Sequence, residues 1–352
     1  LRCRALSNAQ FERVHAAVLS AVRKNRDRID RRVREGRIRE CHGDLHLRNM
    51  CWFDGEIQFF DCIEFNNEYR CIDVIYELAF LAMDLEYRGR ADLANAVVNE
   101  YLERSGDYDG AALLKPYLAV RAWIRAKVAC LMQDDPELSD EELAEARTSA
   151  TKHFDYAARR IQSRQPSLVL VCGVSGTGKS TVSRELAKRF DAIHIRSDAV
   201  RKHLASVDLD THSDALYTRE MSDATSAALV IHARELLQAS WNVILDATFQ
   251  HAHDRAAAFT LARELDVPFR ILHLTAPESA LHERIAARSA DISDAPPNLP
   301  ATQIAAFDAF TPEERPRTLE IDTSKPVNDD AIEQSLALDS GEEGTENAGG
   351  RR

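Results

Sequence analysis

Eight consecutive residues, Gly173-Val174-Ser175-Gly176-Thr177-Gly178-Lys179-Ser180, carry the spacing GxxxxGK[ST]. Residues of these types in this order can hold a polyphosphate. Glycines let the backbone turn its N–H groups inward around phosphate oxygens. A helix that starts just after them adds partial positive charge. Lys179 would reach the β- and γ-phosphates, and Ser180 would offer its hydroxyl to Mg²⁺. The expected nucleotide contacts are therefore Gly173, Ser175, Gly176, Thr177, Gly178, Lys179, Ser180 and Thr181, with ATP and Mg²⁺ as the cofactors. A dinucleotide fingerprint is excluded, because Gly176-x-Gly178 would need glycine where Thr181 stands. Asp246 closes the apolar run Val243-Ile244-Leu245-Asp246. Taken alone such an Asp serves more often as a helix cap. Beside a phosphate loop it reads as a Mg²⁺ contact.

The loop requires a strand before it and a helix after it. Leu168-Val169-Leu170-Val171 and Thr181–Phe190 supply them. From there the pattern alternates strand with helix, with strands predicted at 168–172, 192–196, 242–247, 269–275 and 318–322. Such alternation predicts an α/β domain over 167–328, a parallel five-stranded sheet in a three-layer α/β/α arrangement. Ser163–Ser167, with Gln165 and Pro166, breaks the periodicity and marks a boundary. Residues 1–163 read as mostly helical, from a helix over 7–35 to a long one ending near Ile161. A hairpin interrupts them, Met50–Phe53 and Ile57–Phe60 about a turn at Asp54-Gly55. Residues 329–352 are acidic, with a Gly/Glu-rich end, and predict disorder.

After the second predicted strand comes Arg196-Ser197-Asp198-Ala199-Val200-Arg201-Lys202. With the phosphate loop, this element resembles the P-loop kinases of the gluconate kinase, polynucleotide kinase and zeta-toxin type, over roughly 168–324. The resemblance implies that Asp198 faces an acceptor hydroxyl as general base and that Arg201 orients substrate or phosphate. A hydroxyl nucleophile does need an acceptor for its proton. Asp198 could equally cap a helix starting at Ala199. Arg284 and Arg288 stand four apart on a predicted helix and share a face. They precede the Pro-rich stretch Ser289–Pro300, which resembles the family's lid. That implies a catalytic role for both at the transferring phosphate, with surface salt bridging as the alternative. Arg255, after the third strand, is a further candidate for binding the acceptor.

A second signature lies upstream, His42-Gly43-Asp44-Leu45-His46-Leu47-Arg48-Asn49, followed by Phe59-Phe60-Asp61. It resembles the aminoglycoside phosphotransferase family, whose kinase-like C-lobe would cover residues 5–162. By that resemblance Asp44 is a catalytic base, Asn49 and Asp61 bind Mg²⁺, and Asp73 is structural. The family also has an N-terminal lobe of strands with a Lys on the phosphates. The residues before His42 read instead as helix, so this half, as given, is expected to hold ATP poorly, either as a fragment or as a domain that has lost activity.

The formal net charge is −12. Basic and acidic side chains number 26 and 28 in residues 1–166 and 17 and 22 in 167–328, so neither region carries a basic nucleic-acid footprint. The Arg-dense stretch Arg23–Arg39 is broken by Asp27, Asp30 and Glu35 and reads as a solvated helix face. No apolar run is long enough to span a membrane. Seven cysteines without a CxxC pair predict reduced thiols and no zinc site, as in a cytoplasmic protein. The expected function is ATP-dependent phosphorylation of a small-molecule hydroxyl. Its alternatives are an ATP-binding regulatory module and a polynucleotide end kinase. The oligomeric state is not readable.

Overall fold

The computed structural model describes residues 8–162, 164–211, 216–287, 292, 299–327 and 332. It forms two compact units, Leu1–Val98 with Asp109–Arg164, and Asn99–Tyr108 with Gln165–Arg352.

The first unit begins with α1 (Asn8–Lys24) and α2 (Arg26–Arg34). Strand β1 (Ile38–Glu40) pairs antiparallel with β4 (Cys71–Asp73), which follows the short helix α3 (Asn67–Arg70). Between them lies the predicted hairpin, β2 (Met50–Phe53) and β3 (Glu56–Phe59). Asp54 and Gly55 turn it with φ of +51° and +82°, the left-handed pair that a tight hairpin needs. Helix α4 (Val74–Tyr87) is buried on nearly all sides, as its apolar residues all round require. Asp73 caps it, accepting from Ile75 N at 2.9 Å. The same carboxylate takes a two-pronged ion pair from Arg32 at 2.7 and 2.8 Å. Arg32 is 1% exposed, so the solvated reading of the Arg-dense stretch fails at this residue. Its guanidinium is neutralised in the core by Asp73, 41 positions away, a partner that charge patterning cannot show. Helices α5 (Ala91–Ser105), whose residues from Asn99 on belong to the second unit, α6 (Tyr108–Met132) and α7 (Asp140–Arg160) follow, α7 opening with a Ser139–Glu142 capping box. The free thiols among the described residues are Cys41, Cys51, Cys62, Cys71 and Cys172, whereas Cys130 is disulfide-bonded. That corrects the expectation of reduced thiols throughout, because pairing depends on approach in space, not on spacing in the chain.

The second unit is the α/β domain. Its strands are β5 (Leu168–Cys172), β6 (Ala192–Arg196), β7 (Asn242–Asp246), β8 (Phe269–Thr275) and β9 (Thr318–Asp322). They form one parallel sheet in the order β6-β7-β5-β8-β9. Helices α8 (Lys179–Phe190), α9 (Ser197–Leu204), α10 (Arg219–Gln238), α11 (Ala252–Glu264), α12 (Glu278–Ala286) and α13 (Leu299–Ala305) connect them. Strand β5 is central and buried along its whole length, which explains its unbroken apolar run. Val169 and Val171 pack with Leu186, Ile244, Leu272 and Leu274 on one face. The chain order reverses at β5, so a crevice opens at its carboxyl end. The edge of β6 is covered by Asn99, which donates to Ala192 O at 3.0 Å and accepts from His194 N at 2.7 Å. Of the expected tail, Ile332 is described, and it is buried in the β5 core. The rest of that tail lies outside the described residues.

Candidate active site

The phosphate loop leaves β5 at Gly173 and enters α8 at Lys179. Gly173, Gly176 and Gly178 have φ of +138°, +89° and +83°. Two of them also stand against backbone: a Cβ on Gly173 would meet Leu274 O at 2.4 Å, and one on Gly176 would meet Leu281 O at 3.0 Å. Glycine is thus required by conformation and by space, as a backbone cradle for an anion requires. Inside the turn Thr177 Oγ1 donates to Val174 O at 2.9 Å, and Lys179 Nζ does so at 3.1 Å, which folds the lysine over the loop.

A cavity of about 710 Å³ opens beside the loop. Ser175, Gly176, Gly178, Lys179, Ser180 and Thr181 line it, and so do Asp198, Arg201, Asp246 and Arg284. Gly173 and Thr177, also expected as nucleotide contacts, are not among the residues that line it. The parallel register explains how Asp246 arrives: it lies opposite Val171 on β5 and Arg196 on β6. His194 Nε2 meets its Oδ2 at 3.0 Å, Arg196 Nε stands 4.0 Å away, and Arg196 Nη1 is held in turn by Glu103 at 3.0 Å. Burial presses the Asp246 carboxyl toward protonation. The hydrogen bond and charge of His194, with Lys179 and Arg196, outweigh it and hold the group below its ordinary pKa. An ionised carboxylate near Ser180 suits a magnesium ion that takes few protein ligands and shares the phosphates. Among the described residues no cluster of three or more His, Cys, Asp or Glu could hold a metal by itself.

Helix α9 starts at Ser197, two residues before Ala199, so Asp198 sits inside the first turn and does not cap it. Tyr217 Oη donates to Asp198 Oδ1 at 3.5 Å. Arg201, one turn on, donates to Leu216 O at 3.2 Å and Ser222 Oγ at 3.3 Å, and lies 4.7 Å above the Tyr217 ring. Base candidate, arginine and ring thus form one wall of the cavity.

Arg284, expected at the transferring phosphate, lines the cavity, and its donors go to Gly176 O at 3.3 Å, Thr323 Oγ1 at 2.9 Å and Thr323 O at 2.8 Å. It ties the back of the loop to the end of β9, and its geometry is that of a brace. Arg255 is expected at the acceptor but is fully buried and absent from the cavity wall. It pairs with Glu314 at 2.8 Å and donates to the carbonyls of Phe249 and Asp308 at 3.0 and 3.1 Å. The 59 positions between Arg255 and Glu314 hide this partner from a sequence reading. Removing one member of such a pair strands the other, so Arg255→Ala is expected to lower stability by about 3–5 kcal/mol. A urea titration measures this. Wild-type stability with weakened acceptor binding would restore the substrate role. Arg288 and most of the expected lid Ser289–Pro300 lie outside the described residues.

In the first unit, Asn49 Nδ2 donates to Asp44 O at 3.0 Å and Oδ2 at 3.3 Å, and His46 Nε2 lies 3.3 Å from Oδ2. The bond from His46 is the largest influence on Asp44 and, with Arg125 and Asn49, holds its carboxyl below the ordinary pKa. Carboxylates of α4 fix the loop, Glu77 accepting from Gly43 N and Asp84 from Leu47 N, each at 3.0 Å. Asp61 is exposed, with φ of +60°. Phe60 beside it bonds Asn49 O at 3.1 Å, so the two signature segments meet through the backbone.

The sequence reading missed His194, Tyr217, Gln303 and Thr323. His194 sits in an alternating strand, and only register with Asp246 reveals it. Gln303 lies on the short helix α13, and Tyr217 and Thr323 belong to connecting segments without a motif.

Two family models match separate stretches of the chain. Residues 168–312 match the AAA domain family, and residues 2–114 match the phosphotransferase enzyme family. Uncharacterized proteins of Mycobacterium tuberculosis and Mycobacterium bovis are each 36% identical over 281 residues, 78% of this chain and 55% of theirs. The chain thus spans about half the length of the curated relatives it matches. A solved sugar kinase from Janibacter sp. is similar at 22% identity and TM-score 0.38, covering 50% of this chain and 96% of that one. A gluconokinase from Sinorhizobium meliloti is similar at 24% and 0.36, covering 49% and 91%. No helix among the described residues is long and apolar enough to cross a membrane. Residues 168–312 are thus similar to the AAA domain family, and residues 2–114 to the phosphotransferase enzyme family.

Proposed function

We propose that the second unit binds ATP with Mg²⁺ and transfers the γ-phosphate to a hydroxyl of a small molecule. One observation carries this reading: a single cavity joins the glycine loop and Lys179 to an ionised Asp246 and to Asp198. The residues fit the nucleotide. Backbone N–H groups of the loop and the start of α8 would take the inner phosphates, and Lys179 would add its charge toward the outer ones. Ser180 and Asp246 would hold Mg²⁺, which when bound neutralises charge on the phosphates.

The chain's own contribution is position and a proton acceptor. An acceptor hydroxyl placed against Asp198 loses its proton to that carboxylate as its oxygen bonds to phosphorus. The bond from phosphorus to the ADP oxygen breaks, and ADP leaves. Tyr217 keeps Asp198 oriented, and Arg201 presents a fixed positive face to the acceptor. Arg284 holds the loop against β9. Such transfers depend mainly on positioning and charge, and side chains already held by hydrogen bonds supply both.

The test is transfer of labelled γ-phosphate from ATP across a panel of sugars, sugar acids, nucleosides and short oligonucleotide ends. Label should appear on a small hydroxyl compound. Transfer confined to oligonucleotide ends would replace this reading with an end kinase, and none to any acceptor would leave a nucleotide-binding module.

A further inference from the structure

Helix α13 buries the wrong residue for a helix held by apolar packing. Gln303 is 9% exposed, whereas the adjacent Ile304 is 50% exposed. Ala301, Thr302 and Ala305 are exposed as well. A segment that hides an amide and leaves its isoleucine in water is seated through the amide, since burying an amide is costly unless it is bonded. The partner is the phosphate loop: Ser175 N donates to Gln303 Oε1 at 2.7 Å. That bond also fixes the carboxamide's orientation, because only its oxygen can accept from a backbone N–H. The NH₂ end therefore points away from Ser175, and Gln303 lines the cavity shared by Lys179, Asp198 and Asp246.

We propose that Gln303 recognises the terminal phosphate of the nucleotide, its Oε1 anchored on Ser175 and its NH₂ donating to a phosphoryl oxygen. The assignment rests on the nucleotide reading above. The loop amides and the helix start serve the inner phosphates. The γ-phosphate has three oxygens, and Mg²⁺ with Lys179 leaves a place for a further donor. A neutral double donor beside a lysine suits an oxyanion, and the loop itself holds this one in place. Gln303 would then distinguish ATP from ADP.

The experiment titrates the full chain, with Mg²⁺, against ADP and against an ATP analogue with an imido bridge between its β- and γ-phosphates. Gln303→Glu keeps an acceptor for Ser175 N–H but replaces the donating NH₂ with an anionic oxygen. It is expected to weaken the analogue by about tenfold or more while ADP changes by less than about threefold. Gln303→Met, uncharged and of similar length, is expected to show the same selectivity with a smaller loss. It also covers the case in which the charged variant fails to fold. Equal weakening of both ligands would make Gln303 a brace of the loop, and unchanged analogue affinity would remove it from the site. Either result overturns the assignment. Failure of the wild-type chain to bind ADP would instead overturn the nucleotide reading and take this one with it.

Discussion

Lys179→Ala is expected to lower phosphate transfer by about 10²–10³-fold, the cost of removing one preorganised group from a charged transition state. Affinity for ATP should fall with it. Lys179 opens α8, and its Nζ folds back to Val174 O at 3.1 Å, within the loop. Alanine is a good helix former, so the helix itself tolerates the change. What disappears is positive charge over the loop, and Lys179 is also one of the cations that keep Asp246 ionised. A calorimetric titration with ATP and Mg²⁺, beside a thermal melt, separates lost binding from lost fold. Undiminished ATP affinity in the variant would leave the loop as a turn without a ligand, and the proposed function would fail.

Asp198→Asn should act on a different step. The amide fills the same space and can still accept from Tyr217 Oη, now 3.5 Å from the carboxylate. It cannot take a proton from the acceptor. Loss of a general base costs about 10²–10⁴-fold, so kcat should fall in that range while the KM for ATP stays near the wild-type value. The split matters, because a residue that only shaped the first turn of α9 would disturb stability or both constants together. Steady-state kinetics with the acceptor found in the screen provide the measurement. Full activity in Asp198→Asn would show that the proton leaves by another route.

Several elements are legible because their signals are local. The run 168–172 is unbrokenly apolar since β5 lies in the middle of a parallel sheet with both faces covered. The glycines at 173, 176 and 178 announce positive φ, and all three have it. Hairpin β2–β3 follows from Asp54-Gly55 between two alternating runs. Asp73 follows from its place downstream of the upstream signature, and it caps α4.

Charged side chains were harder to read, because a charge states its chemistry but not its partner. Arg255 and Arg32 have types and positions suited to the surface or to a substrate, yet each is buried against one carboxylate far along the chain. Arg284 stands where a lid arginine belongs, but it bonds Thr323, which only the closing of β9 beside β8 brings near.

By itself the sequence determined a phosphate-binding loop between a buried strand and a helix, the strand–helix alternation after it, and the two signatures that separate the halves. Those features depend on residues a few positions apart, where backbone conformation and periodicity act. Tertiary structure decided which cations face the cavity and which are neutralised, that Asp246 lies beside His194 and Arg196, and that Gln303 reaches Ser175 across 128 positions. Electrostatic pairing and hydrogen bonding act through space, and chain separation carries no record of them until the sheet sets its register.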